Sequence, residues 1–378
     1  MSTHVADPGA PAGVVWGRER LEHEQLLIRR GDRTGITMVV AVHSTALGPA
    51  LGGCRIWRYA TLQAAVDDAL RLSRAMTLKA AAAGLPLGGG KGVIWMPSGL
   101  EPTWALRHEM LRDFADTVNE LGGRYITAED VGTTSRDMAV LAGFCDYVVG
   151  RPTERGGSGD PGDFTAAGVE AAMRACCGHV FGSADLAGRS VAIVGLGSVG
   201  EHLARRLDRA DARLVLSDID PRKVALAREL GAEWVEPDRA PGAEVEVLAP
   251  CALGGMLDDD SVDALRCRVV CGAANNQLAH DGVADLLAAR GILYAPDFIV
   301  NAGGLINVSM ELTGYDPAVA IRKAADIQQV LARVLEHAEA SGLTPLAAAS
   351  ALAYDWIAAA AAARKPGAEI GGAHPEAA

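Results

Sequence analysis

The sequence predicts an α/β protein of two domains, and three observations support this prediction. The chain has 378 residues, and a single hydrophobic core usually divides beyond roughly 250–300 residues. Residues 150–163 contain five glycines and two prolines, a composition typical of a linker. Beyond this segment, short apolar strands alternate with helical patterns through about residue 300, which is typical of a parallel sheet. We therefore place the domains at residues 1–150 and 151–341.

Composition and charge exclude several classes of partner and site. The formal net charge is −12, with no long basic run, whereas nucleic acids and anionic membranes are bound by clustered Lys and Arg. No apolar run reaches the roughly 18 residues that suggest a transmembrane helix.

The seven cysteines form no CxxC pair, so we expect reduced thiols, a cytoplasmic location and no metal site. Prolines and glycines in residues 365–378 predict a disordered tail.

The first half of the chain has the apolar patterns of alternating strands and helices. Thr61 has the residue type of an N-cap and precedes an amphipathic pattern that continues to Met76. Three glycines at 88–90 predict a turn. The predicted elements are strands at 36–42, 92–95 and 125–127 and helices at 61–76 and 103–121.

The second half begins with a strand–turn–helix–strand pattern. Residues 190–194 are apolar and β-branched, residues 198–209 follow helical spacing, and residues 213–217 form a second apolar strand. An amphipathic helix is predicted further on, since apolar residues recur at helical spacing from Ile327 to Ala338. These elements predict a βαβ unit within a parallel sheet.

A glycine-rich turn joins the first of these strands to its helix, and it predicts a dinucleotide site. Gly195 permits a tight turn, Gly197 allows a pyrophosphate to approach the backbone, and Gly200 lets the helix pack close to the strand. The free N–H groups at the helix N-terminus would bind the phosphates. The proposed cofactor-binding turn consists of Gly195, Leu196, Gly197, Ser198, Val199 and Gly200.

Asp218 ends the next strand, 18 residues after Gly200. A carboxylate there would accept hydrogen bonds from the adenosine ribose and repel a 2′-phosphate, so NAD is favoured over NADP. The alternative is a glycine turn in an α/β domain without a cofactor, with Asp218 as a helix cap or surface acid.

Two lysines and one aspartate in the first half are candidates for chemistry. Lys79 ends a helical pattern, Lys91 follows three glycines and precedes an apolar strand, and Asp130 lies between a strand and a turn. A lysine partly removed from water has a lowered pKa and can act as a base. The alternative is two surface lysines and a turn aspartate.

Several glycine-containing segments occur in order between about residues 25 and 360. Together they resemble the leucine/valine/phenylalanine dehydrogenase family, and the leucine and valine enzymes are the most similar members. The segments are Leu47–Arg55, Met76–Gly92, Arg124–Thr133, Ala249–Gly255, Gly272–Gln277 and Tyr294–Gly304. The resemblance implies an N-terminal α/β substrate-binding and dimerisation domain, a Rossmann NAD-binding domain and a cleft between them. It also implies a homo-oligomer and a C-terminal helix, about 342–364, that packs back on the first domain.

The resemblance also implies roles for individual residues. The backbone of Gly52 and Gly53 and the Lys79 ammonium would bind the substrate α-carboxylate, Lys91 would be the catalytic lysine that activates water, and Asp130 would handle the amine proton. Further cofactor contacts are implied for Thr165, Ala273, Asn275 and Asn301.

Two apolar residues indicate which substrate side chain the protein accepts. Glutamate-specific relatives have a lysine where this chain has Leu51, and phenylalanine-specific relatives tend to have glycine where it has Ala128. Leu51 would leave a substrate side-chain carboxylate unpaired, although it could also be an ordinary core leucine. The resemblance therefore implies NAD-dependent, reversible oxidative deamination of valine, leucine or isoleucine to the 2-oxo acid and ammonia.

Other functions remain open at this point. The same chemistry could act on an unusual 2-oxo acid or on phenylalanine, and a non-catalytic NAD-binding regulator is an alternative of another class. The chain departs from the family pattern at Cys54, where threonine is usual, and at Ser309-Met310-Glu311, where relatives often have Ala-Asp-Glu. These departures leave the exact substrate preference open.

Overall fold

The computed structural model describes residues 22–363, together with two short strands before them. The predicted tail at 365–378 lies outside the described residues. The strands are β1 Val15–Trp16, β2 Glu19–Arg20, β3 Gln25–Arg30, β4 Thr37–Ser44, β5 Ala50–Trp57, β6 Gly88–Trp95, β7 Tyr125–Glu129, β8 Ser190–Val194, β9 Arg213–Ser217, β10 Glu233–Trp234, β11 Val247–Pro250, β12 Val269–Val270 and β13 Leu293–Tyr294. The helices are α1 Leu62–Ala82, α2 Trp104–Asn119, α3 Ser135–Leu141, α4 Gly162–Phe181, α5 Ser198–Arg209, α6 Val224–Glu229, α7 Asp259–Ala264, α8 Gly282–Ala289, α9 Asp297–Val300, α10 Gly303–Ser309, α11 Pro317–Ala325, α12 Ile327–Ser341 and α13 Pro345–Ala363.

The N-terminal half of the chain contains a five-stranded sheet, called the first sheet below, with the order β3-β4-β6-β5-β7. β4 is antiparallel to β3 and β6, whereas β5 is parallel to β6 and β7. Val66 and Ala69 of α1 pack against one face of the sheet, and Met110 and Phe114 of α2 pack against the other. The N-cap prediction is confirmed, since the Thr61 side chain accepts a hydrogen bond from the backbone of Ala64.

The predicted glycine turn at 88–90 is wrong, because these residues are the first part of β6. Their function is close packing within a sheet. A Cβ at Gly89 would lie 2.1 Å from the Thr77 nitrogen, and one at Gly90 would lie 2.5 Å from the Tyr125 ring. Only residues without side chains let α1 and Tyr125 approach the strand this closely.

The second sheet is parallel throughout, with the order β10-β9-β8-β11-β12-β13. The predicted bounds of β8, α5 and β9 are confirmed to the residue. The strand order reverses between β8 and β11, and ligands of such sheets bind at the carboxyl ends of the strands at this point. Helix α4 was not predicted from the sequence; it begins within the predicted linker and packs against α5 and α12.

The C-terminal helix α13 contacts both α12 and α1. Ala348, Ala349 and Ala353 are its buried residues, and Tyr354 accepts hydrogen bonds from the Arg74 guanidinium of α1 at 2.6 and 3.0 Å. In the described part of the chain, α13 is the one helix that is long and apolar enough to cross a membrane by length and composition alone. The domain boundaries at 150 and 341 stay predictions.

Candidate active site

Lys91 and Asp130 of the first sheet form an ion pair across β5. Lys91 lies in the middle of β6 and Asp130 follows β7 directly, with β5 between the two strands. The Lys91 Nζ atom is 2.9 Å from Asp130 Oδ2, and the lysine side chain is only 5% exposed. The structure therefore brings together two of the three residues that the sequence analysis singled out for chemistry.

Burial and mutual attraction act in opposite directions on this pair. Burial lowers the pKa of Lys91, although the charge of Asp130 opposes the shift. Burial alone would raise the pKa of Asp130, but Lys91 and Arg55 hold it below its usual value. The carboxylate therefore stays ionised beside a lysine that loses its proton more easily than one in water.

Lys79, the third candidate, lies in the last turn of α1 and is half-buried. Burial lowers its pKa to about 8, opposed mainly by the carboxylate of Asp297 at the start of α9. The charges of Lys91 and Asp130 also act on Lys79. Lys79 is therefore mostly an ammonium at neutral pH and suits the binding of a carboxylate.

Gly52 and Gly53 lie on β5 beside this pair. A Cβ at Gly52 would lie 1.7 Å from the Gly90 carbonyl oxygen, and a Cβ at Gly53 would lie 2.6 Å from Asp130 Cβ. The pairing of β5 with β6 is interrupted at these two glycines. Neither position tolerates a side chain, so a ligand at this place would contact the backbone.

Leu51 and Ala128, the two predicted substrate contacts with apolar side chains, are buried in one apolar cluster. The same cluster includes Leu305 and Val308 of α10. Residues from the first sheet and from the helices after the second sheet thus contribute to one apolar region.

The glycine-rich turn has the geometry that a dinucleotide requires. Gly195 has a φ of 102°, and a Cβ at Gly200 would lie 1.9 Å from the Gly195 carbonyl oxygen. A Cβ at Gly197 would meet nothing within 4 Å, so the space above this residue is open. Gly197 is the N-cap of α5 and offers no side-chain cap to its first N–H groups. An anion can therefore bind these groups.

Asp218 holds this turn in place. Its Oδ2 accepts a hydrogen bond from the Leu196 N–H at 2.6 Å, and its Oδ1 accepts one from the Asp220 N–H at 2.7 Å. A carboxylate has about four acceptor sites, so both oxygens retain capacity for a ribose hydroxyl. Ser198 and Val199 begin α5, and the Ser198 hydroxyl is 3.1 Å from the nearer carboxylate oxygen of Asp160.

The other predicted cofactor contacts converge near the end of α9. The Asn301 side-chain amide donates to the Ala273 carbonyl at 3.1 Å and to Asn275 Oδ1 at 2.8 Å. Asn301 Oδ1 is buried and has no partner among the described residues. Thr165 lies in the first turn of α4, where its hydroxyl donates to the Pro161 carbonyl at 2.9 Å. The unpaired Asn301 oxygen is suited to a donor on a bound ligand.

Comparisons with known proteins agree with these motifs. Two family models match: Glu/Leu/Phe/Val dehydrogenase, dimerisation domain, over residues 23–147, and Glutamate/Leucine/Phenylalanine/Valine dehydrogenase over residues 222–365. A TrkA-N domain model matches residues 191–245. The chain is 43% identical to the leucine dehydrogenase of Bacillus subtilis (strain 168) over 340 residues, which are 90% of this chain and 92% of that protein.

It is also 44% identical to the valine dehydrogenase of Streptomyces coelicolor over 359 residues, covering 91% of this chain and 96% of that protein. The chain belongs to the Glu/Leu/Phe/Val dehydrogenase family. It is accordingly an amino-acid dehydrogenase, an oxidoreductase acting on a CH–NH2 group. The predicted family is confirmed.

Solved structures of this family share the fold. The L-tryptophan dehydrogenase from Nostoc punctiforme superposes with a TM-score of 0.79 at 38% identity, covering 90% of this chain and 97% of that chain. The hetero-hexameric glutamate dehydrogenase from Thermus thermophilus, in a Leu-bound form, has a TM-score of 0.73 at 27% identity and covers 89% of each chain. The predicted two-domain dehydrogenase fold is therefore confirmed.

Two charged residues that reach this site were not predicted from the sequence. Arg55 donates from Nε to Asp130 Oδ2 at 2.7 Å, and Asp297 acts on Lys79. Both residues lie in segments that carry the family resemblance. No local pattern connects Arg55 with Asp130, which is 75 residues away.

The two departures from the family pattern have structural explanations. Cys54 is fully buried, and burial raises the pKa of its thiol well above the usual value. At the second departure, Ser309 and Met310 stand where relatives often have Ala-Asp, whereas Glu311 is shared with them. Both replaced residues are buried, and the Ser309 hydroxyl donates to the Ile306 carbonyl at 2.8 Å. Cys54, Ser309 and Met310 are thus core residues.

Proposed function

We propose that this enzyme catalyses the NAD-dependent, reversible oxidative deamination of a branched-chain aliphatic L-amino acid to the 2-oxo acid and ammonia. The observation that carries the proposal is the buried Lys91–Asp130 pair, 2.9 Å apart, beside the side-chain-free backbone of Gly52 and Gly53. Lys79 adds a cation close enough for the charges of Lys91 and Asp130 to act on it.

The residues of the second sheet fit a dinucleotide. The open space above Gly197 and the uncapped N-terminus of α5 suit a pyrophosphate, and Asp218 suits an adenosine ribose without a 2′-phosphate. The buried, unpaired oxygen of Asn301, beside Ala273 and Asn275, suits a donor at the nicotinamide end. When bound, NAD accepts the α-hydrogen of the amino acid as hydride.

Lys79, Lys91 and Asp130 bind the substrate and transfer the protons. The Lys79 ammonium and the backbone at Gly52 and Gly53 bind and orient the substrate α-carboxylate. Lys91 in its neutral form accepts a proton at Nζ from the water that attacks the substrate carbon, and Asp130 transfers a proton at the departing amine. Their burial excludes bulk water and supports the low lysine pKa that general-base catalysis needs at moderate pH.

The apolar cluster supports an aliphatic substrate. Leu51 is 1% exposed and shares the cluster with Ala128, Leu305 and Val308. A glutamate side chain placed against these residues would have an unpaired carboxylate, which costs several kcal/mol, roughly. The leucine and valine dehydrogenases at 41–45% identity support the same substrate class.

An aromatic substrate is the second candidate. The L-tryptophan dehydrogenase from Nostoc punctiforme, at 38% identity over 90% of this chain, is the observation that favours it. Ala128 opposes it, because its methyl group occupies space that a larger substrate side chain would need.

We further propose a homo-oligomer in a reducing cytoplasm. The match of residues 23–147 to the dimerisation-domain model supports self-association. All seven cysteines are free, and six are buried, which suits a compartment where thiols stay reduced.

The test is NADH formation with valine, leucine, isoleucine, phenylalanine, tryptophan and glutamate, each with NAD and NADP. Lys91→Ala removes the catalytic lysine, and Lys323→Ala, at an exposed position on α11, is the matched control. We expect activity with the branched aliphatic substrates and NAD, which is lost in Lys91→Ala and retained in Lys323→Ala. Absence of turnover by an NAD-binding wild type, with all six substrates, would reject the proposal.

A further inference from the structure

One oxygen of the Asp130 carboxylate is shared by two cations. Arg55 Nε lies 2.7 Å from Asp130 Oδ2, and Lys91 Nζ lies 2.9 Å from the same atom. The two donors reach it from neighbouring strands, because Arg55 lies on β5 and Lys91 on β6. Arg55 therefore competes with the catalytic lysine for the negative charge of Asp130.

Arg55 is itself fixed by a second carboxylate. Its NH1 atom donates to Asp68 Oδ2 at 2.8 Å, and the Tyr59 hydroxyl donates to the same oxygen at 2.5 Å. Arg71 binds Asp68 Oδ1 at 2.7 Å and has a side chain that is 56% exposed. The result is a row of alternating charges from the buried lysine to the protein surface. Its members in order are Lys91, Asp130, Arg55, Asp68 and Arg71.

We propose that Arg55 is a positioning residue for the deamination: it orients Asp130 through Oδ2 and draws that carboxylate's charge away from Lys91, so that Lys91 can lose its proton while Asp130 stays ionised. This inference rests on the proposed function. Arg55 suits the task because its planar guanidinium has several fixed donors and binds two carboxylates at once, and because it does not lose its own proton.

The electrostatics of the surrounding groups support this geometry. Burial is the main cause of the lowered pKa of Lys91; Asp130 opposes it, and Arg55 adds to it. Burial would raise the pKa of Asp130, and Lys91 and Arg55 together reverse that effect. Three other groups face the pair. The Cys54 thiol from β5 and Lys79 from α1 interact with both members, and the Tyr125 hydroxyl from β7 interacts with Asp130.

The lysine content of the chain makes a direct test practical. Only five of the 35 Lys and Arg residues are lysines. In protein labelled with [13C]lysine, the Cε resonances can be followed against pH, and Lys91→Arg assigns the relevant signal. This titration needs no catalytic turnover. The lysines are Lys79, Lys91, Lys223, Lys323 and Lys365.

The decisive variant is Arg55→Gln, with Arg55→Lys as the charge-retaining variant and Arg71→Gln as the matched control at the exposed end of the row. Removing the Arg55 charge leaves Lys91 as the cation in direct contact with Asp130 and removes a positive charge that acts on Lys91, so the pKa of Lys91 rises. We expect its titration, and the rising limb of kcat/KM with pH in deamination, to move upward by about one unit. On that limb kcat/KM falls about tenfold at fixed pH.

Arg55→Lys and Arg71→Gln should keep the wild-type pH profile, because the first retains a cation and the second removes a solvent-screened one. NAD affinity and the thermal midpoint show whether each variant is folded. If Arg55→Gln does not fold, Arg55→Lys provides the test of the proposal. A pH profile of kcat/KM that shifts although the positive charge is retained contradicts the proposal.

The proposal is overturned if Arg55→Gln lowers kcat/KM by the same factor at every pH and leaves the Lys91 titration unchanged. Arg55 would then be a structural residue. A wild type without turnover, whose Lys91 titration nevertheless shifts in Arg55→Gln, would reject the proposed function while supporting the charge relationship between Arg55 and Lys91.

Discussion

Asp297 provides the main negative charge that keeps Lys79 protonated. It lies at the start of α9, which packs against the helix that carries Lys79. Asp297 also accepts hydrogen bonds from the N–H groups of Asn276 and Phe298. One carboxylate therefore contacts the loop of predicted cofactor residues and acts on the predicted substrate-binding lysine.

Asp297→Asn should weaken substrate binding in a pH-dependent way. The asparagine oxygen can replace only one of the two carboxylate oxygens that accept these backbone hydrogen bonds. Its neutral side chain no longer favours the Lys79 ammonium, whose pKa then falls below about 8. We expect the KM for the amino acid to be nearly unchanged at about pH 6.5, where Lys79 is protonated in both proteins, and to rise several-fold by about pH 8.5.

Steady-state kinetics across this pH range measure the effect, and Asp285→Asn, at an exposed position on α8, is the control. An equal increase in KM at all pH values would show that Asp297 acts through the loop and leaves the charge of Lys79 unaffected.

Gly197→Ala tests where the cofactor pyrophosphate lies. The added methyl group would meet no protein atom within 4 Å, so the thermal midpoint should stay at the wild-type value. If the pyrophosphate occupies this space, the Kd for NAD should rise by about tenfold or more, because the methyl group prevents close approach to the backbone. Calorimetric titration with NAD measures this. Unchanged affinity would place the pyrophosphate elsewhere.

Gly90→Ala should destabilise the first sheet. A methyl group at this position would lie 2.5 Å from the Tyr125 ring, and the Tyr125 hydroxyl donates to the Gly52 carbonyl at 2.7 Å. Overpacking of this kind costs about 1–3 kcal/mol in the free energy of unfolding. Urea unfolding measures the loss against Gly242→Ala, where the nearest atom to the new Cβ is 3.5 Å away. Equal stability of the two variants would contradict the packing account of β6.

Two substitutions in the apolar cluster should change specificity in different directions. Ala128→Gly creates space and should raise the ratio of kcat/KM for phenylalanine to that for leucine. Leu51→Lys offers a cation to a side-chain carboxylate and should raise the ratio for glutamate to leucine. Both ratios come from initial rates with NAD. If neither ratio changes, these residues do not line the substrate pocket.

Local patterns predicted the β8–α5–β9 unit of the second sheet more accurately than the strands of the first sheet. The bounds of β8, α5 and β9 were predicted correctly because each signal lies within a few residues of the chain. The signals are the apolar runs Ser190–Val194 and Arg213–Ser217 and the glycine-rich turn and helix between them. Gly88–Gly90 was misassigned because a glycine's role depends on which distant atoms approach it, here Thr77 and Tyr125. The sequence of the glycines contains no information about those neighbours.

The sequence by itself determined the family, the glycine-rich turn, and the residue types of the candidate site, since these follow from motifs read along the chain. Only the tertiary structure decided which charges meet. It placed Arg55 and Lys91 on one oxygen of Asp130 and Asp297 beside the helix of Lys79. Electrostatic interaction depends on the distance between charges and on their burial, and both are set when β5, β6 and the two sheets come together.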